Sequence, residues 1–206
     1  DYFALAFPAG KLGVSVGIMP YTFVGYNIAN TSKEGAQTVA REYQGEGGIN
    51  RTYLGLGYKI APNLSIGVEA AYNFGDTQNN SMKFITDDGT GLAIDRGSRQ
   101  VISNDYSGFS FNTAVNYSLL FEKHMKLDFT ATYSPEVTLK NTQVSTLSTV
   151  GFDSSGSLGT IDQIVSPSSK NDLIIPQKYT FGVGYGKTHK WFLGAEYTGT
   201  QNSKLN

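Results

Sequence analysis

The chain has 206 residues, enough for a single domain spanning 1–206. Charged residues make up 16%, well below the roughly 25% of soluble globular proteins, while glycine (24), tyrosine (13) and phenylalanine (12) are plentiful. The absence of cysteine excludes a disulfide framework and a thiol nucleophile, and the net charge of -1 without a basic cluster argues against a nucleic-acid partner.

The predicted elements alternate between strand-like runs and two kinds of connection. A first strand over 2–7 meets a tight turn near Pro8–Lys11. The second, 11–28, places Leu12, Val14, Val16 and Ile18 on one face with Gly13, Ser15 and Gly17 between them. Pro20 falls inside this run; a proline cannot donate to a ladder, so a bulge or kink is expected there. A long polar connection, 29–47, follows, in which Ser32–Arg41 could form at most a short helix. Strand 48–60 alternates Leu54, Leu56, Tyr58 and Ile60 with small or polar residues. After a tight turn at Ala61–Asn63, strand 63–76 alternates Leu64, Ile66, Val68, Ala70, Tyr72 and Phe74 with Ser65, Gly67, Glu69, Ala71 and Asn73. A long connection over 76–105 leads to strand 106–121, a tight turn at Glu122–Met125 and strand 125–140. The third long connection covers 141–177. Strands 178–187 and 190–200 flank a final tight turn at Lys187–Lys190.

Period-two alternation over such lengths specifies strands, because successive side chains point to opposite faces. Alternation alone also fits a soluble sandwich with one wet face. Two features favour an antiparallel transmembrane β-barrel instead. The runs are long, roughly 10–14 residues, where about 9–11 tilted residues cross a bilayer and soluble strands average about 5–6. The polar face is Gly, Ser, Asn and Thr rather than Lys and Glu, and aromatics gather near strand ends as an interfacial girdle would. No apolar run approaches the roughly 20 residues of a membrane helix. The expectation is an all-β barrel in a bacterial outer membrane, with short turns in the periplasm and long loops outside. That orientation puts both termini outside. The chain opens Asp1-Tyr2-Phe3 without a signal peptide and ends without a terminal aromatic, so it is expected to be an internal piece of a longer barrel.

The polar face carries three candidate lumen-facing ionisable residues, Glu69, Asp128 and Glu196, suited to a constriction, to a network holding a plug, or to local pairing. Pro20 is the candidate strand kink. Gly182-Val-Gly-Tyr-Gly-Lys-Thr188 ends like a phosphate-binding loop, but Phe181 stands where its first glycine is required and a strand surrounds it. His124 and His189 lie in separate tight turns and form no ligand set. Asp87-Asp88-Gly89 and Asp153-Ser-Ser-Gly156 match no complete calcium loop. No catalytic, metal-binding or cofactor-binding residue is assigned, no cofactor is expected, and the chain is not expected to be an enzyme.

Several segments resemble the FadL/OmpP1/TodX family of outer-membrane transporters in its Bacteroidota branch. They are Gly17-Ile-Met-Pro-Tyr-Thr-Phe-Val-Gly-Tyr26, Tyr43-Gln-Gly-Glu-Gly-Gly-Ile-Asn50, Leu64-Ser-Ile-Gly-Val-Glu-Ala-Ala-Tyr-Asn-Phe-Gly75, and Ile175-Pro-Gln-Lys-Tyr-Thr-Phe-Gly-Val-Gly-Tyr185 with Lys190-Trp-Phe-Leu-Gly-Ala-Glu-Tyr197. The resemblance implies a barrel of about fourteen strands, eight of them here, for passive uptake of hydrophobic small molecules such as long-chain fatty acids. It also implies an alternative, a non-catalytic accessory subunit of a larger outer-membrane secretion or barrel-assembly machine. The partners implied are outer-membrane lipid, a hydrophobic small molecule, or other outer-membrane proteins.

Overall fold

A computed structural model describes residues 2–35, 37–86, 96–121, 125–152, 156–187 and 190–202. They form β1 (Phe3–Ala9), β2 (Leu12–Glu34), β3 (Gln37–Ala61), β4 (Leu64–Thr86), β5 (Gly97–Phe121), β6 (Met125–Ser134), β7 (Val137–Phe152), β8 (Leu158–Val165), β9 (Ser169–Lys170), β10 (Leu173–Ile175), β11 (Lys178–Lys187) and β12 (Trp191–Thr200). Every pairing is antiparallel, and the path β1-β2-β3-β4-β5-β6-β11-β12 has eight positions. β6 and β7 are one strand interrupted at Pro135 and Glu136. β8, β9, β10 and β11 run back along it as a second interrupted strand. The sheet is curled into a half-barrel, so that Ser15 of β2 and Thr200 of β12 line one cavity. Among the described residues β1 pairs only with β2 and β12 only with β11.

The register aligns the predicted faces across the sheet. Val16, Leu54, Ala70 and Phe111 are directly opposite one another in sequence, as are Phe129, Val183 and Ala195. The result is a continuous apolar belt on the convex side. Its large side chains are exposed, Leu54, Val68, Phe111 and Phe181 among them, while the buried apolar set among the described residues is Val39, Ile49, Ala71, Leu139 and Val150. A sheet with its hydrophobic surface outside and little core inside is built for lipid. Aromatic pairs mark both rims of the belt. Tyr72 lies 5.0 Å from Phe109 and 6.0 Å from Phe74 at the upper rim, and Tyr185 lies 5.6 Å from Trp191 at the lower.

The tight turns at Pro8–Lys11 and Ala61–Asn63 fall where expected; residues 122–124 and 188–189 of the other two lie outside the described residues. Gly10-Lys11 closes β1 to β2 with Gly10 at φ 67°, the positive value a two-residue hairpin needs. The three long connections, in contrast, are largely strand among the described residues. Residues 29–34 and 37–47 extend β2 and β3 to a hairpin tip at Gly35, so the short helix allowed over Ser32–Arg41 is absent from the described residues. Residues 76–86 and 97–105 extend β4 and β5, and 141–152 pairs with β5, β8 and β9. The strands β2 to β5 therefore reach 23 to 25 residues. At about 3.3 Å per residue that is roughly 75–80 Å, far more than a bilayer crossing. These upper halves bury side chains of their own, Val39, Leu139, Val150 and Asn104 among them, and lack the regular apolar alternation that marks the belt below.

A crease separates belt from upper wall. In β2 the register shifts between Pro20 and Thr22, leaving Tyr21 as the extra residue of a bulge. At the same level β3 and β4 carry Gly47 (φ 106°) and Gly75 (φ 152°), where a Cβ would run into the backbone of Asp76 and Gly48 respectively. Beside them β5 pairs with β6 only from Thr113 downward and with β7 only from Ser107 upward. Residues 108–112 thus face a notch at Pro135.

Candidate functional site

The crease assembles the chain's most developed polar constellation on the concave face. The bulge turns the Tyr21 ring under the Arg51 guanidinium, 4.2 Å from its centroid. Arg51 Nε donates to Asn73 Oδ1 at 3.1 Å. Asn73 is fully buried, and its Nδ2 donates to Ser110 Oγ at 2.9 Å and to the Gly108 carbonyl at 3.3 Å. A second branch runs through Glu69, whose Oε1 lies 4.0 Å from Arg51 Nη1 and accepts from Asn112 Nδ2 at 2.7 Å. Asn112 Oδ1 accepts in turn from Ser134 Oγ at 2.6 Å. Side chains thereby bridge the notch between β5 and β6, where backbone ladder bonds are missing. A cavity of about 650 Å³ adjoins the constellation, lined by Tyr21, Arg51, Glu69, Asn112, Ser134 and Lys178 among others.

Of the residues singled out from sequence, Glu69 belongs to this network. Asp128 lies on the same polar face nearer the tight turns, 2.8 Å from Lys126 Nζ and 2.5 Å from the donating Ser118 Oγ. Glu196 is on the exposed edge strand, with Thr198 Oγ1 at 3.5 Å. The three carboxylates are not brought together. Pro20 sits at the bulge, paired with Asn50. Gly182–Lys187 lies in β11 with a strand on either side, so its backbone is committed to ladders and cannot cradle a phosphate. His124, His189, Thr188, Asp87-Asp88-Gly89 and 153–155 lie outside the described residues.

Sequence reasoning missed Arg51 and Tyr21 as partners and Asn73 as the hub. The available signal was Arg51 itself, a cation within an alternating run otherwise free of Arg, one register position from the proline-marked irregularity.

A curled antiparallel sheet with an apolar convex belt, aromatic rims and a hydrogen-bonded polar interior defines an outer-membrane β-barrel protein. The family model BamG matches residues 1–206 in full, and the chain belongs to the BamG family. It is an outer-membrane protein. No curated protein and no solved structure matched the chain. The family match corrects the resemblance to the FadL/OmpP1/TodX transporters, since BamG is a different family. The segments that carried that resemblance are Gly-aromatic strands, which the lipid belt and polar interior impose on unrelated barrels alike.

Proposed function

We propose that this protein is a non-catalytic accessory subunit of a barrel-assembly complex in the outer membrane. The observation that carries the reading is the match of the BamG family model to all 206 residues. Its architecture supports the same reading. The belt anchors the sheet in lipid, and β2 to β5 with β7 and β8 raise a wall beyond it that offers a partner a broad polar surface. The crease network locks the wall to the belt.

The test is a mild-detergent purification of the full-length protein from outer membranes. A stoichiometric set of large outer-membrane proteins is expected to accompany it, and a lone barrel would overturn the proposal. Shortening the β2–β3 hairpin by removing 30–41 keeps the belt intact. It is expected to lower recovery of the partners while the protein still inserts, read as a folded band on unheated gels.

A further inference from the structure

We draw no further inference here: the strongest candidate, the pair of sheet edges at β1 and β12 that stand open among the described residues and that lipid requires to be paired with strands, carries nothing because nothing in the structure shows what covers them.

Discussion

The belt and the wall are made from the same strands, yet they follow opposite rules. Below the crease, β4 runs Leu64 to Phe74 with every second residue in lipid and its neighbours in a polar interior. Above it, the same strand runs Asp76 to Thr86 through Gln78, Asn79, Asn80 and Ser81 before Met82, Phe84 and Ile85, without strict alternation. Hydrogen bonds hold both parts, with nearly unbroken registers to β3 and β5. The difference teaches that the ladder makes the strand and the medium writes the pattern. A segment beyond the bilayer shows no such apolar alternation, however regular its pairing.

This contrast can be broken most sharply at the belt's centre. Val68→Arg is expected to cost about 2–4 kcal/mol, whereas Ser103→Arg on the wall is expected to stay within about 0.5 kcal/mol. Urea unfolding from lipid vesicles measures both, and equal costs would mean that the belt is not in lipid. Next in size is the crease. Gly75→Val forces a branched side chain at φ 152° against the Gly48 carbonyl, with an expected loss of about 1–3 kcal/mol in the same assay. A neutral result would remove the crease as a constraint. Asn73→Ala leaves Ser110 and the Arg51 Nε without their partner and should cost about 1–3 kcal/mol. Asn73→Asp, which keeps the acceptor toward Arg51, should recover part of it.

The smallest effect belongs to the wall's tip. Hydrogen bonds from Arg41 and then Lys83 hold the Glu34 carboxyl below its ordinary pKa. A depressed folded value means that the pair's contribution is present above the ordinary carboxylate pKa and is lost as pH falls through the folded one. Amide-exchange protection of the β2–β3 tip, corrected for intrinsic rates, should therefore decline at acid pH while the belt's does not. Glu34→Gln should abolish the decline. Because the pair is exposed, the change should be slight and weaken with salt.

The belt was legible in the sequence because lipid on one side and a polar interior on the other force period two. All eight positions along the sheet, both faces and the described tight turns follow from residues such as Leu54, Val68 and Phe181. The wall was not legible for the converse reason. Glu42 to Gly47 reads as a polar loop, although each residue sits in register between β2 and β4. The crease network was legible only in part. Glu69 could be placed on the polar face by parity, but its tie to Arg51, Asn112 and Ser134 depends on registers across four strands and on a notch that Pro135 opens. The phase beyond Pro20 could not be counted through, since one extra residue at Tyr21 exchanges the faces of β2.

The crease also has a mechanical meaning. Tyr21 bulges out of β2, Gly47 and Gly75 take positive φ in the two strands beside it without loss of register, and the notch beside Gly108 continues the line. The pleat that stiffens a sheet against bending is weakest along it. A load applied to the wall would concentrate its bending along this line, and the bonds from Arg51 to Asn73 and from Asn73 to Ser110 are placed to resist it before it reached the footing in the bilayer.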